Sequence, residues 1–229
     1  MPYRAVLFDV GGPIDTEVSA EASIDERIKA MVRAVGVEVT EERYAEAARW
    51  AVERFAPSTY AAIVWRLCGG DERLAARVGP ISFPERPFEL REGVAELIED
   101  LHSRNVLLGL AANQPARTLE TLDQLGIGRY FQHREMSGHH GFRKPDLRLF
   151  LRACEDLGVA PAETIMVGDR IDNDIAPARL LGMYTILFRT GRHIAQQPRG
   201  LDEVPHAEVW DVVGLRGAIL ERIELPQAR

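Results

Sequence analysis

The 229-residue chain is 46% hydrophobic and carries a formal net charge of −7, with acidic and basic residues interspersed rather than gathered in blocks. That size supports one large core, or a core plus a smaller domain, and the charge pattern argues against a nucleic-acid footprint. No apolar run approaches the roughly 20 residues of a membrane span and the N-terminus lacks a signal-peptide pattern. The two cysteines, Cys68 and Cys154, show neither metal nor redox spacing, so a cytoplasmic protein with reduced thiols is expected.

The first element is Ala5-Val6-Leu7-Phe8, an apolar run that suits a strand buried on both faces, as in a parallel sheet. Asp9 follows at its carboxyl end, and Gly11 and Gly12 permit a sharp turn before Pro13. Open α/β sheets bind ligands at that end of their strands, so Asp9 is a candidate nucleophile, metal ligand or both. A turn or helix-capping aspartate is the other reading.

The pattern then becomes helical. Ile24, Ile28, Met31, Val32 and Val35 recur at helical spacing before Gly36. Thr40 opens a second helix bearing Tyr44, Ala47, Ala48, Ala51 and Phe55; a third runs through Ile63, Val64 and Leu67 to Gly69-Gly70; a fourth spans Asp71 to Val78. No strand is expected between about Thr16 and Ser82. Residues 15–82 therefore predict a small all-helical domain, and Gly79–Leu90, with Pro80, Pro84 and Pro87, has linker composition.

From Arg91 strands and helices alternate. Helices are predicted at Arg91–Arg104, Gln114–Leu125, Pro145–Leu157, Asp174–Leu181 and Val212–Ile223, and strands at Val106–Ala111, Glu163–Val167 and Met183–Phe188. Such alternation means βαβ units with right-handed crossovers, hence an α/β core with a parallel sheet built from residues 1–14 and 83–229.

Three polar clusters fall after predicted strands or at helix starts, on the face where Asp9 emerges. Ala112-Asn113-Gln114 ends one strand, and a helix beginning there would offer backbone N–H groups to an anion. Lys144 precedes Pro145 and Asp146 at a helix start; a solvated surface lysine is the plainer reading. Asp169, Asp172 and Asp174 close another strand, where a cation such as Mg²⁺ would relieve their repulsion, although Asp172 or Asp174 could also cap the next helix.

In this order, Asp9, a helical block, Asn113, Arg143-Lys144-Pro145-Asp146 and Gly168-Asp169 with Asp174, the chain resembles the haloacid dehalogenase superfamily over nearly its whole length. The resemblance implies a Rossmann-like core with a mobile helical cap. It implies that Asp9 attacks phosphorus and forms an aspartyl-phosphate, and that Lys144 holds the nucleophile and the phosphoryl charge. Gly12, Ala112, Asn113 and Lys144 would line the phosphate pocket. Asp9, the Gly11 carbonyl and Asp169, with Asp174 supporting the metal or the lysine, would hold Mg²⁺. The implied partner is a small-molecule phosphate ester, with neither nucleic acid nor membrane involved, and the chain is expected as a monomer or homodimer.

The chain departs from the family's phosphatase motif at three positions. Gly11 stands where the second aspartate protonates the leaving group and activates water, help worth about 10²–10⁴-fold. Pro13 replaces a threonine, and Ala112 replaces a hydroxyl residue that holds a phosphate oxygen. Asp15 and Glu17 are nearby substitutes for the acid, with Asp15 also readable as a hinge residue.

Three readings follow: a slow phosphatase, a hydrolase of carbon–halogen or carbon–phosphorus bonds, and a binding protein on a retained scaffold. Carbon–phosphorus cleavage in this family uses a cap lysine, and Lys29, the only lysine in 15–82, falls with the polar residues of the first helix. His139-His140 reads as a solvated loop pair, Arg134 and Arg143 as loop arginines that could widen a phosphate patch, and Trp50 and Trp65 as packing residues.

Overall fold

The computed structural model describes residues 3–81 and 88–223, so residues 82–87 of the expected linker lie outside the described residues. The chain divides into two compact units. One comprises Met1–Thr16, Phe88–Ile194 and Pro198–Arg229; the other comprises Glu17–Pro87 with Ala195–Gln197.

The second unit is built of α1 (Val18–Ala34), α2 (Glu41–Glu53), α3 (Thr59–Leu67) and α4 (Glu72–Val78). Its core sets Ile24, Ile28 and Val32 of α1 against Tyr44, Ala47 and Ala51 of α2 and Ile63, Val64 and Leu67 of α3. Thr40 caps α2 by accepting the Arg43 amide at 3.2 Å, and Asp71 caps α4 by accepting the Arg73 and Leu74 amides at 2.9 and 3.0 Å. Such caps satisfy amides that the first helical turn leaves unpaired. Trp50 and Trp65 stack with ring centroids 5.5 Å apart, with Trp65 38% exposed.

Lys29 is not on the solvated side of α1. It is buried, with its ammonium 2.8 Å from Glu26, 2.5 Å from Glu41 and 5.0 Å from the Tyr44 ring centroid. A lysine stem lies along apolar surface as readily as a hydrocarbon when its head finds carboxylates at the rim, which a count by residue type misses.

The first unit is α/β. Strands β1 (Ala5–Phe8), β2 (Leu107–Leu110), β3 (Thr164–Gly168), β4 (Tyr184–Phe188) and β5 (Ala207–Val209) form a parallel sheet in the order β2-β1-β3-β4-β5. Successive β1 side chains point to opposite faces. Val6 and Phe8 join the cluster completed by Val94, Leu97, Ile98, Leu101, Leu215 and Ile219, whereas Ala5 and Leu7 join Leu149, Phe150, Ala153 and Leu157. Helices α5 (Val94–Ser103) and α10 (Val212–Ile223) therefore cover one face, and α8 (Leu147–Leu157) the other.

The remaining helices are short: α6 (Thr118–Gln124), α7 (Ser137–His140) and α9 (Ala176–Leu180). Helix α5 starts three residues later than Arg91, after Gly93 at φ +78°, which leaves Arg91 in the approach to the helix. Helix α6 starts at Thr118 rather than Gln114, with Pro115 in the intervening turn. Helix α9 is preceded by a wider turn in which the Ile175 amide donates to Arg170 O at 3.2 Å; such π-type turns gather at functional sites. Strand β5 was not expected, because three residues carry no readable alternation. Among the described residues no helix is long and apolar enough to cross a membrane.

Candidate active site

Strand β1 lies between β2 and β3, so the chain leaves β1 to one side and later returns on the other. That reversal makes the carboxyl ends of β1 and β3 the topological switch point, where open α/β sheets bind ligands. Asp9 leaves β1 with its amide donating to Val167 O at 2.8 Å, while the Ala111 amide donates to Phe8 O at 2.8 Å. Asp169 leaves β3 directly after Gly168. The sheet thus aims both carboxylates at one place.

Lys144 completes the centre. Its ammonium lies 2.8 Å from Asp9 Oδ2 and 2.6 Å from Asp174 Oδ1, and all three residues are buried. It is no surface lysine. Burial alone would lower its pKa, but Asp174 and Asp9 outweigh it and hold the ammonium above the ordinary lysine value. Asp174, fully buried, is pushed up to about 6, with burial as the main cause and Lys144 opposing it. Its Oδ2 accepts the Arg170 amide at 3.0 Å, and Asp9 Oδ1 accepts the Val10 amide at 2.7 Å. Asp172 instead pairs with Arg170 at 2.5 Å.

Asn113 holds the lysine from behind. Its Oδ1 accepts the Lys144 amide at 2.8 Å and its Nδ2 donates to Lys144 O at 3.1 Å. The expectation of a helix N-terminus at Asn113 is corrected, since α6 begins only at Thr118. Ala112 is fully buried, and its carbonyl accepts the Ser137 amide at 3.1 Å.

Asp9, Asp169 and Asp174 present ligand oxygens within 4.8 Å of one another. Lys144 touches two of these three buried carboxylates, and the all-oxygen set suits a hard dication such as Mg²⁺. The turn after β1 is fitted to it. Gly12 sits at φ +84°, and a Cβ there would lie 2.7 Å from Asp169 Cγ.

Arg91 was missed in the sequence, where it reads as the start of a helix. Its Nε and Nη2 donate to the Gly12 carbonyl at 2.9 and 2.7 Å, and Nη2 also donates to Thr190 Oγ1 at 2.9 Å. Burial lowers its pKa, against the opposing fields of Asp169 and Asp15. The signal that could have found it is Gly93, two residues on, which delays the helix.

The other candidates sit apart from these contacts. Asp15 is buried, and its Oδ1 accepts the Glu89 amide at 3.1 Å. His139 and His140 form a helical turn rather than a loop, their Nδ1 atoms accepting the Met136 and Phe142 amides at 3.0 and 3.2 Å. Arg134 pairs with Asp123 at 2.5 Å, and Arg143 is exposed.

Comparison with known proteins bears on the fold and the family. The chain is 28% identical over 219 residues to the glyceraldehyde 3-phosphate phosphatase of Methanopyrus kandleri, covering 90% of this chain and 92% of that protein. It is 31% identical over 146 residues to the phosphoserine phosphatase of Thermus thermophilus, covering 63% and 57%. A magnesium-bound HAD-hydrolase structure from Bacillus subtilis shares the fold with a TM-score of 0.67 at 20% identity, covering 98% of this chain and all of that one (100%). The family model for haloacid dehalogenase-like hydrolases matches residues 3–182, and the chain belongs to that family of hydrolases.

Proposed function

We propose that the chain is a Mg²⁺-dependent phosphatase of small phosphorylated metabolites, acting through an aspartyl-phosphate on Asp9. The carrying observation is the Lys144 ammonium set 2.8 Å from Asp9 and 2.6 Å from Asp174 at the switch point of the sheet. A carboxylate attacks a phosphate dianion only where positive charge screens the approach. Lys144 supplies part of that screening, with its ammonium 2.8 Å from Asp9 Oδ2. Asp174 fixes the ammonium, and Asn113 fixes the lysine backbone.

Asp9, Asp169 and the Gly11 carbonyl would hold Mg²⁺, with Asp174 supporting the metal or the lysine. When bound, the ion supplies neutralisation of phosphoryl charge. Gly12, Ala112, Asn113 and Lys144 would line the phosphate pocket, where Gly12 and Ala112 offer no side-chain donor. The helical unit would act as a cap that selects substrate. The proposal includes a cytoplasmic location, resting on cysteine usage, and action as a monomer or homodimer.

The carbon–phosphorus reading needs a free cap amine. Lys29 is instead held protonated by Glu26 and Glu41, which raise its pKa. The haloacid reading needs no metal, whereas the buried carboxylate cluster is suited to one.

The test is phosphate release from a panel of phosphate esters and halide release from a 2-haloacid, using wild type and Asp9→Asn, alongside calorimetric Mg²⁺ titration of wild type and Asp169→Ala. Asp9-dependent, Mg²⁺-dependent phosphate release is expected, with Mg²⁺ binding lost in Asp169→Ala. Turnover of the haloacid alone, without metal, would overturn the reading, and equal Mg²⁺ binding by both proteins would remove Asp169 from the metal site.

A further inference from the structure

Phosphoryl transfer to Asp9 displaces an oxygen, and the basicity of that oxygen decides whether it needs a proton to leave. The five residues after Asp9, Val10 to Ile14, bear no ionisable side chain. The next acid, Asp15, is 2% exposed and is engaged with the Glu89 amide at 3.1 Å, while its own amide donates to Val10 O at 2.8 Å. Lys144 touches Asp9, but giving up its proton would leave a neutral amine between carboxylates 2.8 and 2.6 Å away. Asn113 has both ends of its amide on the Lys144 backbone, and Ala112 has no hydroxyl. Among these described residues of the sheet unit, which include the nucleophile and a cation, none is placed to give the leaving group a proton.

Resting on the phosphatase reading above, we infer that the site selects phosphoryl donors whose leaving group departs as a stable anion, acyl phosphates foremost. Asp9 attacks phosphorus, the P–O bond to the acyl group breaks, and its electron pair leaves on a carboxylate that needs no proton. Aspartyl-phosphate is itself an acyl phosphate, so the bond formed is of the type broken. An alkyl ester would have to release an alkoxide, and the missing acid is worth about 10²–10⁴-fold. Water then attacks the aspartyl-phosphate at phosphorus, Asp9 leaves as carboxylate, and both water protons finish on inorganic phosphate. The carboxylates beside Asp9 are committed, Asp174 to Lys144 and Asp169 to the proposed metal, so the second step is the slower and the phosphoenzyme accumulates.

The experiment measures kcat/KM with Mg²⁺ for acetyl phosphate, a series of substituted phenyl phosphates and glycerol phosphate, with Asp9→Asn as the correction for spontaneous hydrolysis. Wild type should lose about 10²–10⁴-fold between acetyl and glycerol phosphate, with a steep dependence on leaving-group basicity through the phenyl series. Rapid mixing should show a stoichiometric burst of acetate ahead of phosphate.

Position 11 is outside the glycines with positive φ, so its backbone accepts a side chain, and Gly11→Asp should flatten the series by raising the glycerol ester. The wild-type series decides the matter even where that variant does not fold. Asp9-dependent turnover of glycerol and acetyl phosphates at equal kcat/KM would overturn the selectivity and leave the phosphatase standing. Phosphate release no greater than that of Asp9→Asn from every donor would overturn the phosphatase reading itself. Phosphate appearing in step with acetate from the first turnover would contradict the slow second step.

Discussion

The Arg91 guanidinium grips the Gly12 carbonyl with two nitrogens, at 2.9 and 2.7 Å, while lying 4.8 Å from the Phe188 ring centroid at the end of β4. Gly12 in turn abuts Asp169, so the arginine ties the turn after β1 to the strand end beside the acidic cluster. Lysine cannot reproduce a planar fork. Arg91→Lys and Arg91→Ala should each weaken Mg²⁺ binding about 10–100-fold, the usual cost of losing an outer support of a metal site. Calorimetry on folded variants checks this, and unchanged affinity would remove Arg91 from the positioning of the turn.

Gly12 should be intolerant where Gly11 is not. Gly12→Ala combines a left-handed φ of +84° with a Cβ 2.7 Å from Asp169 Cγ. The backbone term alone costs about 1–2 kcal/mol, and displacement of Asp169 should abolish Mg²⁺ binding. Gly11→Ala, free of the left-handed constraint, should keep it. Urea melts and Mg²⁺ titrations of the pair compare the two directly.

A pH effect should trace to His193, which is 8% exposed. Burial, reinforced by Arg170 and Arg192 against Asp172, pushes its imidazole down to about 3 from 6.5. Between those values the unfolded chain binds the proton and the folded chain does not, so stability falls as pH drops through about 6.5. From pH 7.5 to 5 the loss from this one group is about 2 kcal/mol. Urea melts should show that increment in wild type and lack it in His193→Gln. Equal pH slopes would contradict the assignment.

Part of the site was legible because two of its members, Asp9 and Asp169, sit where an apolar strand run stops. Asp9 ends β1 and Asp169 follows β3, so the strand pattern alone placed both at the sheet's carboxyl edge. Lys144 was readable as a candidate, but its burial between two carboxylates was not, because sequence shows no partners across 30 or 135 residues. The starts of the helices after Arg91 and Asn113 were misplaced for the same local reason. Gly93 and Pro115 delay the helices that periodicity starts too early, and the residues set free turn to backbone atoms of the site. Lys29 was misplaced because its stem packs as an apolar group. Strand β5 is too short to carry a period.

Lys29 yields a further prediction. Its partners Glu26 and Glu41 are largely exposed, so the ion pairs themselves contribute little, about 0–1 kcal/mol. Lys29→Met, which keeps the stem, should fold with stability within about 1 kcal/mol of wild type. It should also keep phosphate release unchanged, and borohydride should trap no imine on wild type with a carbonyl substrate. Loss of turnover in a folded Lys29→Met protein would restore the cap-amine chemistry.

The most direct measurement is mass spectrometry of the protein quenched in acid during turnover of acetyl phosphate with Mg²⁺. Wild type should carry a phosphoryl group on the peptide containing Asp9, lost on treatment with hydroxylamine, and Asp9→Asn should carry none. Phosphorylation at another residue, or phosphate release by wild type with no covalent species at any quench time and undiminished in Asp9→Asn, would contradict an Asp9 nucleophile.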